Sequence, residues 1–240
     1  MREELGRIYK QFIESLTIYS KEMETIVRYV SALDVIVAKA YIAKKYNYCC
    51  PILENREKSF VQMKGLRHSL IEHLQTNETY VPNDITLGTG TNGILLYGTN
   101  AVGKSSLIRS IGISIILAQA GLFVPCSSFI YHPYTTIFTR ILGNDDIFKG
   151  LSSFATEMSE LRTILTLANK NSLILGDELC SGTETHSAIA IFLAGLEHLH
   201  DKESSFIFAT HLHEISTMSE IKKLTSLQLK HMEVRYDQAK

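Results

Sequence analysis

The fold is decided by one stretch of the sequence, residues 93–106, which reads GILLYGTNAVGKSS. An apolar run leads into the pattern Gly-x-x-x-x-Gly-Lys-Ser, which Gly98, Gly103, Lys104 and Ser105 complete. The residues that follow have the apolar spacing of a helix. A strand, a glycine loop and a helix in this order predict backbone N–H groups and a helix N-terminus that face an anion, phosphate above all.

Each polar residue of this loop has a chemical role toward a nucleoside triphosphate and its metal ion. Lys104 would neutralise charge on the β- and γ-phosphates, and the Ser105 hydroxyl would bind Mg²⁺. A plain glycine turn that caps a helix is the simpler interpretation, but the strand before the loop and the helix after it favour a phosphate loop. The predicted nucleotide-binding residues of the loop are Gly98, Thr99, Asn100, Ala101, Val102, Gly103, Lys104, Ser105 and Ser106.

A second strand pattern, residues 172–176, leads into two carboxylates, Asp177 and Glu178. If both strands belong to one parallel sheet, these carboxylates and the glycine loop meet at its carboxyl edge. Asp177 would then hold Mg²⁺ through its water shell, and Glu178 would polarise the attacking water as a general base. Acidic residues after a strand also cap ordinary helices, so the two carboxylates alone are weak evidence for a nucleotide site. They become strong evidence in combination with the glycine loop upstream.

Two further polar elements lie between and after these motifs. Residues 150–158, GLSSFATEM, open a helix, so the Ser152 hydroxyl and the helix amides form an end that accepts an anion. His211 follows another strand pattern, where its imidazole could contact a γ-phosphate. On their own, the first element is only a good N-cap, and a single histidine at a strand end is more often structural.

The apolar pattern changes twice along the chain. Residues 1–50 have helical spacing, residues 51–84 are mixed, with a strand predicted at 59–64 and a short helix at 69–74, and residues 85–240 alternate short apolar runs with helices. The apolar runs end in glycine or acidic residues, which is typical of a mostly parallel sheet covered by helices. We therefore predict an α/β domain that is joined by a connector to a helical segment.

The helical segment predicts one long helix, because residues 1–48 contain no proline and a single glycine, Gly6. A continuous helix over this stretch would be roughly 65 Å long, longer than a compact domain needs, which indicates a lever or a coiled-coil arm. Two antiparallel helices broken near residues 17–20 are the alternative. Cys50-Pro51 is expected to end the helix, since the residue before a proline avoids the α conformation.

Composition excludes several classes of protein. Lys plus Arg number 24 and Asp plus Glu 25, so the net charge of -1 leaves no global basic field for nucleic acid, and any polyanion site must be local. No apolar run is long enough to span a membrane, and the N-terminus lacks a signal-peptide pattern. The cysteines lack metal-ligand spacing, so we expect reduced thiols in an intracellular compartment, whether nucleus, cytoplasm, organelle or viral factory.

Five segments together resemble the ATPase domain of the MutS family of DNA mismatch-repair proteins, within the ABC ATPase superfamily. They are GTNAVGKSS, TIFTRILGNDD, GLSSFATEM, LILGDELCSGTE and FATHLHE, and the resemblance covers nearly the whole chain. It implies an ABC-type P-loop NTPase fold that binds ATP and Mg²⁺ and hydrolyses the ATP. It also implies that nucleotide state is coupled to mismatched-DNA binding through lever helices, of which the N-terminal helix would be the remaining one.

The resemblance assigns roles to single residues. In the run YVPND, residues 80–84, it implies that the Tyr80 ring stacks on adenine. An ordinary edge-strand tyrosine is the alternative. The resemblance further implies that Asn100 reaches the phosphates beside Lys104 and that Ser106 is the family's second hydroxyl. The catalytic residues that it implies are Glu178, Lys104 and His211, the last of them as the switch histidine.

The resemblance also implies a homodimer or heterodimer of MutS-type subunits. Ser152 matches the signature serine, which in the family contacts the nucleotide bound to the opposite subunit, and Gly182-Thr183 matches the family's D-loop. Mismatched double-stranded DNA would be bound through domains absent from this chain, and no membrane partner is implied.

Several residues depart from the family pattern. The usual loop is Gly-Pro-Asn-Met-Gly-Gly-Lys-Ser-Thr, whereas this chain has Thr99, Ala101, Val102 and Ser106, and Leu151 replaces the arginine before the signature serine. These differences suggest a divergent branch of the family, such as those of large DNA viruses.

The family's mismatch-reading, connector and clamp domains and its C-terminal helix-turn-helix are also missing from these residues. We therefore expect a fragment, a split gene product or a reduced protein. The alternative functions are a scaffold that holds ATP without hydrolysing it, a MutS-related ATPase of recombination control, and an ABC ATPase with another role. The intact Lys104, Asp177 and Glu178 favour hydrolysis.

Overall fold

The chain folds into two compact units, of which the first ends at Asn47 and the second begins at Tyr48. The computed structural model describes residues 2–74, 80–99, 102–140, 153–177, 179, 184–211 and 213–233. We refer to residues 2–47 as the arm and to the described residues from Tyr48 onward as the body.

The arm is helical over its whole length. It comprises α1 (Arg2–Leu16), a 3-10 turn (Thr17–Tyr19) and α2 (Ser20–Tyr46). Leu16 and Ser20, which flank the turn, both keep right-handed α dihedrals, so the helix continues through the turn instead of breaking into a separate antiparallel helix. The side chains of α1 and α2 are also almost all exposed, whereas an antiparallel pair would bury one face of each helix.

The arm ends at an asparagine and not at the proline that follows. Asn47 adopts the left-handed conformation, with φ 53° and ψ 52°, and its N–H donates to the carbonyl of Ala43. Asparagine is the residue that most readily replaces glycine in this C-terminal position. The expectation that Cys50-Pro51 ends the helix was therefore wrong.

The body contains two sheets, five further α-helices and one 3-10 helix (His213–Thr217). Its strands are β1 (Ile52–Leu53), β2 (Phe60–Leu66), β3 (Asn83–Leu87), β4 (Gly93–Tyr97), β5 (Ser128–His132), β6 (Thr136–Arg140), β7 (Ser172–Asp177), β8 (Ser205–Ala209) and β9 (Leu227–His231). Its helices are α3 (Ile71–Leu74), α4 (Lys104–Gln119), α5 (Ser153–Leu167), α6 (Thr185–Asp201) and α7 (Ser219–Lys223).

The larger sheet has five strands in the order β6-β7-β8-β4-β9, and each neighbouring pair is parallel. We call it the central sheet. The prediction of an α/β fold with a mostly parallel sheet flanked by helices is confirmed. Because all five strands run in one direction, their carboxyl ends form one edge of the sheet.

The smaller sheet has four strands in the order β1-β5-β2-β3, and β2 is antiparallel to both β3 and β5. β1 and β2 come from the segment that we interpreted as a connector, and β5 follows α4. The connector segment therefore contributes strands to a sheet of the body.

The central sheet is covered on both faces. Ile94 and Leu96 of β4 pack in one core with α4 and the smaller sheet, and Leu95 and Tyr97 pack in a second core that includes residues of α5 and α6. This alternation follows from the two-residue period of a strand. It fixes the ends of β4, β7 and β8 between two packed layers. Within the described ranges, no helix is both long and apolar enough to cross a membrane.

Candidate nucleotide-binding site

Three of the predicted motifs end at one edge of the central sheet. β8 lies between β4 and β7, and its last residue, Ala209, is the register partner of both Leu96 and Asp177. The glycine loop leaves β4 directly after Tyr97, Asp177 is the last residue of β7, and His211 follows β8. Motifs that lie far apart in the sequence are thus neighbours at the carboxyl edge.

The glycine loop needs its two glycines for different reasons. Gly98 has φ +153°, and a Cβ there would lie 2.7 Å from the carbonyl oxygen of Met232, so no larger residue fits. Gly103 has φ +99°, a conformation that other residues rarely adopt, and directly precedes α4. The carbonyl of Gly103 accepts the first helical hydrogen bond from the Leu107 N–H at 2.9 Å. The loop therefore delivers the chain into the N-terminus of a helix.

Lys104 places a buried positive charge at this point. Its residue is only 6% exposed, and its Nζ donates to the carbonyls of Gly98, at 2.7 Å, and Thr99, at 2.9 Å. Carbonyl dipoles offset part of the desolvation cost of an ammonium group, but an anion offsets far more. The positive end of the α4 dipole acts at the same place. The loop thus combines a fixed cation and a helix N-terminus, which together attract a phosphate.

Asp177 supplies an acceptor at the same edge. The residue is 6% exposed, and its Oδ1 accepts no hydrogen bond from the part of the chain that the structure describes. A buried carboxylate oxygen without a donor is costly unless a cation or a bound water reaches it. Ser105, half-buried in the first turn of α4, offers a hydroxyl oxygen. Hard oxygen donors of this kind fit Mg²⁺.

A metal ion here would depend on few protein ligands. Among the described residues, no cluster of three or more His, Cys, Asp or Glu side chains could hold a metal ion. Mg²⁺ usually takes one or two carboxylates and completes its shell with phosphate oxygens and water. The donor set therefore suits an ion that enters together with a nucleotide.

The remaining predicted residues lie in different surroundings. Thr99 and His211 are exposed, and Val102 and Ser106 are half-buried. His211 follows Thr210, whose N–H donates to the Leu96 carbonyl at 3.0 Å, so the chain is still tied to β4 just before the histidine. Asn100, Ala101, Ser152, Glu178 and Gly182-Thr183 lie outside the described residues.

Tyr80 is half-buried and precedes β3 by three residues. Burial raises the pKa of its phenol, a hydrogen bond with the Ser110 hydroxyl lowers it, and the nearby Glu72 carboxylate raises it. Ser110 belongs to α4, and its hydroxyl donates to the Leu107 carbonyl at 2.8 Å.

One residue at the site was not predicted from the sequence. Met232 follows β9, its N–H donates to the Tyr97 carbonyl at 2.8 Å, and its own carbonyl lies against Gly98. Its methyl group would be 3.9 Å from a Cβ at Gly103. Met232 therefore forms the wall behind the glycine loop. Nothing in the local sequence signals this role, because it depends on β9 pairing with β4.

The comparisons with known proteins agree with this geometry. The family model of MutS domain V matches residues 94–240, a range that begins in β4 and includes the glycine loop, Asp177 and His211. The chain is 41% identical to a mutS homolog of Acanthamoeba polyphaga mimivirus, in an alignment that covers 96% of this chain and 24% of the relative. It is 42% identical to the mitochondrial DNA mismatch repair protein mutS homolog of Sarcophyton glaucum, over 90% of this chain and 22% of the relative.

A bacterial relative gives the same result. The DNA mismatch repair protein MutS of Lactobacillus delbrueckii subsp. bulgaricus is 36% identical, over 95% of this chain and 26% of the relative. The chain thus spans about a quarter of the length of these relatives. Since the domain V match extends over more than half of the chain and takes in the glycine loop and the Asp177 edge, the chain belongs to the MutS family.

Proposed function

We propose that this chain binds ATP with Mg²⁺ at the carboxyl edge of the central sheet and hydrolyses the ATP, as the ATPase part of a MutS-type DNA mismatch-repair protein. One observation carries the proposal. The buried Lys104 ammonium is held 2.7 Å and 2.9 Å from two loop carbonyls at the N-terminus of α4, a position from which it can neutralise phosphate charge. Membership of the MutS family, whose members are ATPases, supports it.

The residues of the loop and of β7 would have different roles in ATP hydrolysis. Lys104 and the loop N–H groups stabilise the negative charge that develops on the β–γ bridging oxygen and the leaving ADP as the bond to the γ-phosphorus breaks. Ser105 and Asp177 are the residues that would hold the metal ion. Mg²⁺, when bound, screens the charges of the phosphates. Glu178 accepts the proton of the attacking water as general base, and His211 contacts the γ-phosphate side.

We further infer that the nucleotide lies between two MutS-type subunits, in a homodimer or a heterodimer. In this arrangement Ser152 of one subunit contacts the nucleotide of the other, and Tyr80 contacts the adenine. Mismatched double-stranded DNA would be bound through parts of a MutS protein that these residues do not include. Residues 1–50 would act as the lever, residues 51–84 as the connector and residues 85–240 as the ATPase domain, so that DNA binding and nucleotide binding influence each other.

The proposal is tested by the steady-state rate of ATP hydrolysis with Mg²⁺ over a series of protein concentrations. We expect a rate per subunit that rises with concentration, because the active unit is a dimer. Glu178→Gln should retain ATP binding and lose turnover by on the order of 100-fold, because it removes only the general base. ATP binding without turnover at any concentration would instead indicate a nucleotide-holding protein.

The contribution of the second subunit has its own test. A mixture of Lys104→Ala and Ser152→Ala chains should recover turnover that neither variant has alone, since one site of the heterodimer then keeps both residues. If the mixture is as inactive as its components, Ser152 does not act across a dimer.

A further inference from the structure

Met232 lies against the glycine loop at both of its ends, although it comes far later in the sequence. Its N–H donates to the carbonyl of Tyr97, the residue before the loop, at 2.8 Å. Its own carbonyl oxygen is so near Gly98 that a Cβ there would lie 2.7 Å from it. The Cε methyl of its side chain would lie 3.9 Å from a Cβ at Gly103. One residue outside the loop therefore adjoins both of its glycines.

The backbone of Met232 is fixed by the pairing of β9 with β4. The two strands are parallel, with Tyr97 opposite His231, and the Met232 N–H extends this ladder by one residue. At the other end of the pair, the Asn92 N–H donates to the Ser226 carbonyl at 2.8 Å. Because hydrogen bonds close both ends of the pair, β9 cannot slide along β4 without breaking them.

The side chain of Met232 is supported by a hydrophobic core. It is half-buried and packs against the core that includes Ile94 and Leu96 of β4 and Leu107 of α4, which are all at most 3% exposed. The loop joins β4 to α4, so the same core supports the elements before and after it. Methionine suits this place, because its unbranched side chain fills irregular gaps.

The two glycines permit the shape of the loop but do not enforce it. A residue without a Cβ adopts positive and negative φ with similar ease, so Gly98 and Gly103 leave the backbone free to take other conformations. Lys104 restrains the start of the loop through the carbonyls of Gly98 and Thr99. Contact with Met232 is a second restraint, and it acts at both ends. Removal of its side chain should leave a gap beside Gly103 into which the backbone can relax.

We propose that Met232 is a positioning residue for the phosphates of the nucleotide: it keeps Gly98 and Gly103 at the separation at which the Lys104 ammonium and the N-terminus of α4 face one phosphate group together. The inference rests on the proposed function, in which the loop binds the phosphates of ATP. Met232 contacts the loop and not the nucleotide. Its side chain therefore affects the affinity for any ligand that carries a triphosphate, whatever the base.

The test compares two ligands that differ in the base. Equilibrium binding to the full chain, with Mg²⁺, is measured for ATP and for inorganic tripolyphosphate, which has no base. Met232→Ala should raise the Kd of both ligands by the same factor, about tenfold, because small misplacements of a contact group are costly. Met232→Leu refills most of the gap and should bring both Kd values back to within about twofold of the wild type.

Met218 provides the matched control. It is also a half-buried methionine, but it packs against the other core of the body, at the start of α7. Met218→Ala and Met232→Ala should both lower the urea concentration at the midpoint of unfolding, because each removes a packed side chain. Only Met232→Ala should weaken phosphate binding. Unchanged Kd values in Met232→Ala, a loss confined to ATP, or an equal loss in Met218→Ala would each overturn the inference.

A second substitution keeps the inference testable if Met232→Ala does not fold. Met232→Val removes only the outer part of the side chain, which includes the methyl group beside Gly103. It should raise the Kd of both ligands about threefold, because the loop is displaced less. Wild-type Kd values in this variant would contradict the role of Met232.

The two proposals fail in different ways. A wild-type chain that does not bind ATP would contradict the proposed function itself. A wild-type chain that binds ATP and tripolyphosphate with affinities that Met232→Ala leaves unchanged would contradict only the role of Met232.

Discussion

The arm and the body use their apolar residues in opposite ways. In the arm, Leu5, Phe12 and Ile26 are 64%, 57% and 60% exposed, whereas in the body Phe60 and Phe206 are fully buried. The body therefore has hydrophobic cores of its own, which supply most of the stability of a domain. The arm, described by itself, depends on helix propensity and on contacts between residues one turn apart. The two parts of one chain are thus stabilised by different physical effects.

The charges of the arm add little to this balance. Arg7 and Glu4 approach to 2.7 Å, and Arg28 and Glu24 to 3.7 Å, but all four side chains are more than half exposed. Exposed pairs of this kind contribute well under about 1 kcal/mol each. The comparison therefore predicts that substitutions in the body change global stability and that equivalent substitutions in the arm do not.

The largest difference in the free energy of unfolding is expected between alanine substitutions of two phenylalanines, one in the body and one in the arm. Phe206→Ala removes a fully buried ring that lies 5.7 Å from the Phe208 ring, and it should lower the free energy of unfolding by about 3–5 kcal/mol. Phe12→Ala, in the arm, should change it by less than about 0.5 kcal/mol. Urea unfolding followed by circular dichroism measures both. A similar loss in the two variants would mean that Phe12 is covered in solution.

A smaller effect is the dependence of the free energy of unfolding on pH near the histidine pKa. It is confined to the body, because residues 2–47 contain no histidine. Burial lowers the pKa of His68, and Arg109 lowers it further. The neutral ring accepts hydrogen bonds from the N–H groups of Leu70 and Ile71 at the start of α3. Its contribution to the free energy of unfolding is therefore complete above about pH 6.5, the ordinary histidine pKa. This contribution is lost as the pH falls through the lowered pKa of the folded protein.

The measurement for His68 is unfolding free energy between pH 7 and pH 5. We expect the wild type to lose about 1–2 kcal/mol over this range, the value of the two hydrogen bonds. His68→Asn keeps an acceptor but does not titrate, so its stability should depend less on pH. An equal pH dependence in the two proteins would show that His68 is not the titrating group.

The smallest effect is expected at the single glycine of the arm. Gly6 lies inside α1, and a Cβ there would meet no atom within 4 Å. Gly6→Ala should therefore stabilise α1 by about 0.5–1 kcal/mol through helix propensity alone. Hydrogen exchange should slow in residues 2–16, while the melting temperature of the body stays the same. Slower exchange in the body as well would show that the two parts are coupled.

The sequence was most informative where structure is local. The strand, the glycine loop and the helix are consecutive, so the spacing of Gly98, Gly103 and Lys104 predicted this local order of elements, and the parallel α/β fold and the MutS family were predicted correctly. The roles of these three residues toward a nucleotide stay predictions. Asp177 could be placed at the same edge because all parallel strands end on one side.

The sequence was least informative where distant segments pair. The sequence did not predict β5. This strand pairs with β2, which lies more than 60 residues earlier in the chain, and pairs such as Gln62 with Ile130 form no pattern that can be recognised in either segment alone. The role of Met232 depends in the same way on β9 beside β4. The end of the arm was assigned to proline, whereas the left-handed Asn47 ends the helix first, since one residue with positive φ is enough to stop it.

The central claim is that the Lys104 ammonium binds the phosphates of ATP, and equilibrium ATP binding with Mg²⁺ tests it most directly. Lys202 is the matched control, because its Nζ also donates to two carbonyls, those of Leu165 at 2.7 Å and Thr166 at 3.1 Å, but at the end of α5. We predict that Lys104→Ala weakens ATP binding on the order of 100-fold, since it removes a charge-assisted contact, and that Lys202→Ala leaves the affinity within about twofold. Equal affinities of wild type and Lys104→Ala would contradict the claim.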